Sequence, residues 1–517
     1  MKRYSIARYS IFFAAILFAA VFSGIIHAAV TINVDAAKVH GDLPRYGYQC
    51  STVRLVGDKN IKWITQDMEL AGNFDNVRFF VTIGSSYPTT YSKTPIDHID
   101  RFANTFTMCF QRKNHKVDPP TEKSFASDAR RQITELKKLF PQKLIYIEPF
   151  NEPEANRVSF GLYKSFYRST CQIIADINKD LPAGVPHLKI GGPTYNNGGK
   201  SGRSQVESLI KFVQAENLPL DFISYHEIGA DYKVGVAWSN GQAMAEIKKR
   251  YGVEHIPTFI TAFIQAREKE AGCAHKAAAL LNLLDNGIAI ANHWSLKRDV
   301  DEHKSYFKWG TDGIANPIFN HLNMLRFHKK YRIEMVSDGF ADRKYGVSGW
   351  ASIDSSGIAI LVFNNSGSSN ALNLKVANLP KVFSEGKIRM RRYLIDKTHS
   401  NYYHNPAKDK LERVEDTQLD AMTSFTYNYD MPQYMDMMIL LEPTAGEIPV
   451  SAQGIWTQNQ RLAPVIAQRP AGHVYNLRGR KLMPARAAKA INNAHLPSAL
   501  YISKFKGKAA AAQLSAF

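Results

Sequence analysis

Short apolar runs alternate with amphipathic segments over the first two thirds of the chain. The runs are rich in β-branched and aromatic residues, which is typical of strands buried on both faces. The segments between them repeat apolar residues every three or four positions, which is typical of helices that bury one side. Strands are predicted at 77–84, 144–150, 188–193, 220–226, 258–264 and 288–294, and helices at 129–140, 204–216 and 241–252.

This repeated strand–helix order predicts an α/β fold with a parallel sheet. Its extent, residues 35–330, suits a (β/α)8 or TIM barrel, in which the carboxyl ends of all strands meet at one site. A doubly wound open sheet is the alternative, but no glycine-rich phosphate turn follows an early strand. We therefore predict the barrel, and we expect the functional residues at its strand ends.

The pattern changes after about residue 330. Apolar strands separated by Gly, Asn and Ser turns follow one another with hardly any helix, and this predicts a β-sandwich over residues 331–445. Residues 446–517 are predicted to form a linker and a short β-rich tail, which ends in basic and alanine-rich sequence.

The N-terminus has the pattern of a secretory signal peptide. Three basic residues precede the apolar run 11–26 and small residues follow it, so residues 1–28 match the three regions of such a peptide. An uncleaved membrane anchor is the alternative, although the run is short for a spanning helix. We expect a secreted protein, extracellular or at the cell surface, with no integral membrane segment after the signal is removed.

The charge distribution limits the classes of partner. Of the formal net charge of +19, the signal carries +3 and residues 446–517 carry +9, which leaves +7 for the body. Nucleic-acid binding would need a basic stripe with interleaved aromatic residues, and the sequence has none. An acidic polysaccharide remains compatible with the mildly basic body, because long-range attraction follows net charge.

The four cysteines are widely spaced along the chain, at positions 50, 109, 171 and 273. Their spacing shows no metal-binding pattern. One disulfide and buried free thiols are both open alternatives for an exported chain, because sequence alone does not supply the connectivity.

The stretch 144–157, LIYIEPFNEPEANR, joins a strand to a cluster of carboxylates. Asn151 and Glu152 come directly after the strand, and Pro153 stops it. A glutamic acid at the carboxyl end of a barrel strand can protonate a leaving oxygen, and the neighbouring asparagine can hold the substrate. A surface loop with incidental acids is the less favoured alternative, because the cluster follows a predicted barrel strand.

Four motifs of this chain, in order, resemble those of glycoside hydrolase family 39, a clan A barrel family that contains β-xylosidases and α-L-iduronidases. The resemblance covers roughly residues 40–445. It implies a retaining glycosidase that acts on O-glycosidic bonds of xylosides, uronic-acid-containing glycans or exopolysaccharides, with an oligosaccharide or polysaccharide as substrate and no metal or organic cofactor. The motifs are YIEPFNEPE, LKIGGPTYN, PLDFISYHEIG and YLIDKTHSNYYHNP.

The resemblance implies roles for several residues of the predicted site. Glu152 would be the acid/base, Asn151 would contact the sugar, and Glu148 would support the strand end. His226 would lie in a sugar subsite, although a hydrogen-bonded histidine at the barrel rim is the structural alternative.

Two further side chains at predicted strand positions are candidates for substrate binding. Arg78 fits a strand-2 arginine that could orient a carboxylate, and Trp294 ends strand 8, where an aromatic ring could stack on a sugar. A core role is the alternative for Trp294. Together with the mildly basic body, Arg78 favours uronic-acid sugars over neutral xylosides.

The catalytic partner of Glu152 is missing from its expected place. Retaining glycosidases need two carboxyl groups about 5–5.5 Å apart, and the family has a glutamate at the end of strand 7, where this chain has Ala262. Thr261 is a poor nucleophile without an adjacent base. A shifted register would make Glu227 the nearest alternative acid, with Glu268 and Glu270 beyond it. The chain could instead be a catalytically silent glycan-binding relative, or the position could be altered in this copy; the shifted register is the least favoured of the three.

The C-terminal pattern VYNLRGRKL…LPSALYISKFKGK resembles the sorting tails of type IX secretion systems. The resemblance implies an export or surface-attachment module. Its partner would be the secretion machinery, and it would take no part in the site.

Overall fold

The computed structural model describes most of the two predicted domains and four short pieces of the tail. The predicted signal peptide, the linker after residue 446 and Glu268 lie outside the described residues. The described ranges are 29–44, 49–52, 74–83, 103–112, 118–196, 200–227, 234–263, 269–294, 316–444, 446, 473–475, 481–484, 501–505 and 508–512.

After a first strand, β1 (Val30–Asp42), which belongs to a second sheet, eight parallel strands form a closed barrel. Each strand pairs with its neighbour in sequence, and the last closes the barrel on the first. The predicted parallel barrel is confirmed. Its strands are β2 (Gln49–Thr52), β3 (Phe74–Ile83), β4 (Ala103–Arg112), β5 (Leu144–Glu148), β6 (Lys189–Tyr195), β7 (Phe222–Glu227), β8 (Thr258–Phe263) and β9 (Ile290–Trp294).

Helices follow the barrel strands and bury their apolar faces. Thr121 and Ser159 begin two of them by accepting hydrogen bonds from the backbone N–H groups of Ser124 and Leu162, which satisfies donors that a helix start leaves free. The helices are α1 (Glu122–Leu139), α2 (Phe160–Lys179), α3 (Lys200–Ala215), α4 (Val234–Arg250), α5 (Lys269–Asp285) and α6 (Pro317–Leu325).

Aromatic side chains close the amino-terminal end of the barrel interior. The rings of Phe222 and Phe259 stack with centroids 4.6 Å apart, and Tyr146 meets both edge-on. Ile290 belongs to the same buried cluster. The four residues of this cluster mark inward-facing positions of β5, β7, β8 and β9. Because strand residues alternate between the two faces of a sheet, the following inward-facing residues of these strands lie closer to the carboxyl end of the barrel.

A polar layer lies inside the barrel next to this cluster. Asn76 accepts hydrogen bonds from Thr107 at 3.1 Å and from Asn292 at 3.0 Å, and it donates to Thr105 at 2.9 Å. These side chains come from β3, β4 and β9 and hydrogen-bond to one another, which offsets part of the cost of burying them. The barrel interior therefore becomes polar before its strands end.

The second domain is one nine-stranded sheet, formed by β1 and eight later strands. Both ends of the sheet contribute to one apolar core, in which Leu374 and Phe425 join Ile360 and Ile439. The predicted β-sandwich is therefore a single sheet curled over its own core. Its later strands are β10 (Tyr331–Ser337), β11 (Val347–Asp354), β12 (Gly357–Asn364), β13 (Asn370–Ala377), β14 (Ile388–Ile395), β15 (Glu412–Leu419), β16 (Phe425–Met431) and β17 (Met435–Pro443). The strand order in the sheet is β15-β14-β17-β12-β11-β10-β1-β13-β16.

The N-terminal strand corrects the predicted domain boundary. The range 35–330 assigned this part of the chain to the barrel, but β1 pairs antiparallel with β10 and parallel with β13. Its inward residues Ile32, Val34 and Ala36 join the core of the sheet. The sheet domain therefore begins before the barrel in sequence, because burying these apolar residues requires the partners that β10 and β13 provide.

The barrel and the sheet share a buried interface. Helix α5 is apolar on nearly every side and is buried along most of its length, which is typical of a helix packed between two layers. Leu361 and Leu440 of the sheet belong to the same apolar cluster as the barrel helices. The two domains are therefore packed as one body.

Cys109, Cys171 and Cys273 are buried free thiols, so none of these three forms a disulfide. Within the described residues, no helix has both the length and the apolar character needed to cross a membrane. Of the tail, the structure describes two short antiparallel pairs, Lys481–Pro484 with His473–Tyr475 and Lys508–Ala512 with Tyr501–Phe505.

Candidate active site

A buried ion pair lies inside the barrel below the proposed acid/base. Arg78 of β3 donates through Nε to Glu148 Oε2 at 2.7 Å and through Nη2 to Asn151 Oδ1 at 2.9 Å. Arg78 and Glu148 are fully buried. Burial by itself would raise the pKa of Glu148, but the nearby Arg78 guanidinium holds that pKa below its ordinary value. Glu148 is therefore an ionised group that fixes Arg78, and Arg78 in turn orients Asn151.

The backbone of Glu152 has a left-handed conformation, with φ of 42°. Such a conformation costs roughly 1 kcal/mol or more in a residue with a Cβ, and it persists where surrounding contacts hold it. Here the Glu152 N–H donates to the Thr194 carbonyl at 3.1 Å, and the Glu152 carbonyl accepts from Asn156 N and Nδ2, both at 3.0 Å. Hydrogen bonds to β6 and to the following loop thus hold the Glu152 backbone at both its N–H and its carbonyl.

The carboxylate of Glu152 contacts a buried histidine. His226 Nδ1 lies 2.9 Å from Glu152 Oε1, with the His226 side chain 1% exposed and that of Glu152 20% exposed. Burial lowers the pKa of His226, and Arg78 lowers it further, against the opposing effect of the Glu152 hydrogen bond. The imidazole is therefore neutral at pH 7 and, as its Nδ1–H tautomer, donates to the carboxylate. The sequence predicted only that these two residues share a site, and the structure adds this contact.

The register of β8 places Ala262 beside this histidine. Ala262 pairs with His226 in the parallel ladder, and paired residues point to the same face of a sheet. The pairing shifts at Thr261, so that Ile260 and Phe263 both pack toward the helices while Ala262 lies between them on the inner face. A methyl group therefore occupies the inward strand end next to the Glu152–His226 pair.

Glu227, the alternative acid, lies on the other face of its strand. It follows His226 directly, so the alternation of strand side chains turns it outward, and its Oε1 accepts from Asn240 Nδ2 of α4 at 2.8 Å. Burial raises the pKa of Glu227 to about 8. The structure thus separates Glu227 from Glu152, and a shifted register that would use Glu227 as nucleophile is not supported.

Trp294 ends the inner face of β9. Asn292, two residues earlier, bonds to Asn76 inside the barrel, and the Trp294 ring meets Phe80 edge-on with centroids 5.8 Å apart. The Arg78 guanidinium lies 4.5 Å from the Phe80 ring centroid. Trp294 is half-buried at the strand end, a place from which an aromatic ring could stack on a sugar.

Sequence reasoning missed a residue that supports the site. Asn156 lies in the loop after Glu152. Its side chain donates to the carbonyls of Asn151 and Glu152 and accepts from Arg112. The sequence gives no signal for this role, because the hydrogen bonds of an irregular loop leave no periodic pattern. Glu270, named above as a more distant alternative acid, is the second residue of helix α5.

The assembled site has one acid placed for proton transfer. Glu152 is partly exposed and hydrogen-bonded to a neutral imidazole, whereas Glu148 is held ionised and buried by Arg78. Within the described part of the chain, no group of His, Cys, Asp and Glu residues could hold a metal ion. The arrangement can protonate or deprotonate a bound oxygen at Glu152, with Asn151 presenting an amide beside it.

Comparisons with known proteins place this fold among glycosidases. No protein-family model matches the sequence, and no curated protein matches it. A glucosidase from Croceicoccus marinus superposes with a TM-score of 0.61 at 14% identity, over 80% of this chain and 99% of that one. A monomeric β-xylosidase from Caulobacter crescentus CB15 gives 0.61 at 13% identity, over 81% and 100%. A bacterial orthologue of human α-L-iduronidase gives 0.62 at 10% identity, over 81% and 84%. The chain therefore has the fold of these glycoside hydrolases.

Proposed function

We propose that the chain is a secreted glycoside hydrolase of family 39 type, with Glu152 as the acid/base and a glycan as its ligand. The observation that carries this proposal is the Glu152–His226 pair at the carboxyl end of a barrel of the glycosidase fold. The strand-end motifs and the N-terminal signal pattern support the family and the secretion.

In this proposal Glu152 works as a proton donor first. It gives its proton to the glycosidic oxygen as the bond to the anomeric carbon breaks, and the neutral His226 keeps its carboxyl group oriented. Asn151 holds a sugar hydroxyl, and Trp294 stacks on a ring. His226 Nε2 is buried and has no hydrogen-bond partner among the described residues.

Ala262 blocks the ordinary retaining route. A covalent intermediate needs a carboxylate that attacks the anomeric carbon, and a methyl group cannot do so. A catalytically silent glycan-binding protein is therefore the second candidate function, and Ala262 is the observation that favours it. Both candidates share the same bound ligand and differ in whether the bond breaks.

The first experiment replaces Glu152 with Gln and measures hydrolysis of aryl glycosides with poor leaving groups. If Glu152 is the acid, the rate should fall by about 10²- to 10⁴-fold. The control is Glu154→Gln in the same loop, whose carboxylate accepts from the Asn196 N–H at 2.8 Å and should leave the rate within a few-fold. The same comparison is made in the Ala262→Glu background if the unaltered chain is silent, and equal, measurable rates with and without the Glu152 change would remove the assignment.

The second experiment supplies the missing nucleophile. With an aryl glycoside of the correct sugar, azide should attack the anomeric carbon and form a C–N bond as the C–O bond to the leaving group breaks, giving a glycosyl azide of inverted configuration. Ala262→Glu should restore the retaining reaction, because a covalent intermediate becomes possible again. If the variant folds, binds glycans and stays inert on every sugar tried, the chain is a binder that has diverged at more than this position.

The substrate proposal follows from the charge of the described site. The Arg78 guanidinium is buried and bonds to Glu148 and Asn151, so this arginine serves the protein's own carboxylate and does not favour a uronic acid. Among the described residues this leaves neutral sugars such as xylosides as the better match. Calorimetry with xylo-, glucurono- and iduronate-containing oligosaccharides tests this, and tighter binding of the uronic-acid series would reverse the preference.

A further inference from the structure

The loop that carries Glu152 is held by one amide side chain. Asn156 Nδ2 donates to the Asn151 carbonyl at 2.8 Å and to the Glu152 carbonyl at 3.0 Å. The first carbonyl belongs to the peptide bond before Glu152 and the second to the peptide bond after it. The backbone N–H of Asn156 also donates to the Glu152 carbonyl at 3.0 Å. One residue thus supplies three hydrogen bonds to the two residues of the proposed proton-transfer and sugar-binding pair.

The other end of the same amide is fixed by the neighbouring strand. Asn156 Oδ1 accepts from Arg112 Nε at 3.1 Å, and Arg112 is the last residue of β4. Asn156 is 4% exposed and Arg112 is 6% exposed, so water competes little for these bonds. The backbone N–H of Asn151 is in turn bonded to the Phe110 carbonyl of β4 at 2.7 Å. The loop is therefore tied to β4 at two points.

These contacts explain how Glu152 keeps its left-handed backbone. A residue with φ of 42° relaxes to a more common conformation unless neighbouring bonds prevent it. Relaxation would swing the side chain away from His226. The Asn156 side-chain amide supplies two of the three hydrogen bonds to the carbonyls of Asn151 and Glu152, and the Asn156 backbone N–H supplies the third. The Glu152 N–H donates to the Thr194 carbonyl.

We propose that Asn156, anchored by Arg112, is a positioning residue that sets the orientation of Glu152 toward His226 and the bound sugar. The proposal rests on the proposed function, because it assigns Asn156 a role in the same site. Asn156 itself touches neither the sugar nor the reacting atoms. It acts through the backbone of Asn151 and Glu152.

The experiment pairs Asn156→Ala with a matched control, Asn178→Ala. Asn178 also bridges backbone groups, donating to the Leu188 carbonyl at 3.1 Å and accepting from the Leu188 N–H at 2.8 Å, but it lies before β6, at the amino end of the barrel. In the Ala262→Glu background, Asn156→Ala should lower kcat about 10- to 100-fold with KM within a few-fold. Asn178→Ala should leave both constants within about twofold, whatever its effect on stability.

A second readout separates this proposal from the proposed function. In protein with ¹⁵N-labelled histidine, the Nδ1–H proton of His226 should give a downfield resonance from its bond to the Glu152 carboxylate, identified by its loss in His226→Gln. Asn156→Ala should shift or broaden that resonance, and Asn178→Ala should not. This holds whether or not any variant hydrolyses a glycoside, so an inactive Ala262→Glu protein tests the proposed function alone.

Asn156→Asp keeps the side-chain shape and the bond from Arg112 but loses both donated bonds. It should reproduce the kcat loss and the shifted resonance, and it replaces the alanine variant if that protein does not fold. An unchanged kcat together with an unchanged His226 resonance in a folded Asn156 variant would overturn the proposal.

Discussion

The pair Arg78–Glu148 shows how a charged residue can be structural at the centre of a site. Both side chains are fully buried and their contact is 2.7 Å. Removing one partner of such a pair leaves the other as an unpaired buried charge, which costs about 3–5 kcal/mol. We expect Arg78→Met to lower the free energy of unfolding by about that amount, measured by urea denaturation.

An exposed ion pair provides the control for this prediction. Arg130→Met breaks a 2.6 Å contact with Asp176 on the surface, where both side chains are about half exposed, and it should cost less than about 1 kcal/mol. The double variant Arg78→Met/Glu148→Met should be less destabilised than the sum of the two single variants. Additive losses would show that the two charges do not depend on each other.

Glu227 predicts a pH dependence of stability. Burial raises its pKa in the fold to about 8 from an ordinary value of 4.5. Below pH 4.5 both states are protonated, but as the pH rises toward 8 the unfolded chain loses this proton while the folded protein keeps it. This residue therefore makes the fold less stable as the pH rises from about 4.5 to 8.

Glu227→Gln should remove that loss and keep an acceptor for Asn240. The variant should match the unaltered protein near pH 4.5 and exceed its free energy of unfolding by a few kcal/mol, on the order of 1.4 for each pKa unit, near pH 8. The exposed Glu254→Gln serves as control and should follow the unaltered protein throughout. Parallel curves for the Glu227→Gln variant and the unaltered protein would contradict the raised pKa.

The sequence predicted which residues gather at the strand ends better than it predicted what each one touches. Glu152, Asn151 and His226 were placed together because strand ends of a parallel barrel converge. The outward direction of Glu227 was also readable from the alternation in FISYHE, which puts it on the face opposite His226. The role of Asn156 was not readable, because it depends on the backbone angles of one loop.

At the scale of the strand, one glycine of the barrel has no room for a side chain. A Cβ at Gly191 of β6 would lie 2.2 Å from the Phe222 carbonyl oxygen and 2.5 Å from its ring. Neither group can move without disturbing the aromatic cluster formed by Phe222, Tyr146 and Phe259. We expect Gly191→Ala to destabilise the barrel by several kcal/mol, on the order of an overpacked core, or to prevent folding, as measured by thermal denaturation.

A second glycine makes the matched comparison. Gly161 lies in the first turn of α2, and the nearest atom to an added Cβ is the Ser159 hydroxyl oxygen at 3.8 Å. Gly161→Ala should therefore be neutral or stabilise the protein by up to about 1 kcal/mol, because alanine favours the helix. Similar melting temperatures for the two alanine variants would show that the strand has room that the geometry does not indicate.

The turn with the sequence THSN connects the sheet domain to the barrel through hydrogen bonds. Asp396 accepts from the N–H groups of Thr398 and His399, and Ser400 exchanges hydrogen bonds with Glu412. Asn320 of α6 donates to the Ser400 carbonyl at 2.9 Å. The motif is therefore a hydrogen-bonded turn that joins the sheet to a barrel helix, and its residues take no part in the Glu152 site.

For the molecule as a whole, the alternation of strands and helices was sufficient to predict the barrel, and the change of pattern near residue 330 was sufficient to predict a separate β domain. The prediction was wrong at the start of the chain, where it assigned β1 to the barrel. A lone strand such as β1 has no local signal that identifies its partners, since those partners lie about 300 residues later. Such a strand pairs where the rest of the folded sheet leaves an edge and an apolar face uncovered.

The two domains should unfold together. The interface buries His321 of α6 against Asp436 of β17, with Nδ1 and Oδ2 2.7 Å apart and both side chains fully buried. Asp285 of α5 also bonds to Arg332 and Arg343. Because this interface is largely apolar and is crossed by these polar contacts, separating the domains would expose apolar surface and break the contacts.

Hydrogen exchange in rising urea should therefore show one transition. Peptides from β7 in the barrel and from β12 in the sheet should lose protection at the same urea concentration, because opening either domain exposes its face of the interface. Asp436→Ala leaves a buried imidazole without its partner, so both peptides should lose protection at a lower concentration and still together. Asp416→Ala, which removes a surface partner of Arg389, should leave both midpoints nearly unchanged. Two separate midpoints in the unaltered protein would mean that the interface is weaker than its burial indicates and that the barrel unfolds as an independent domain.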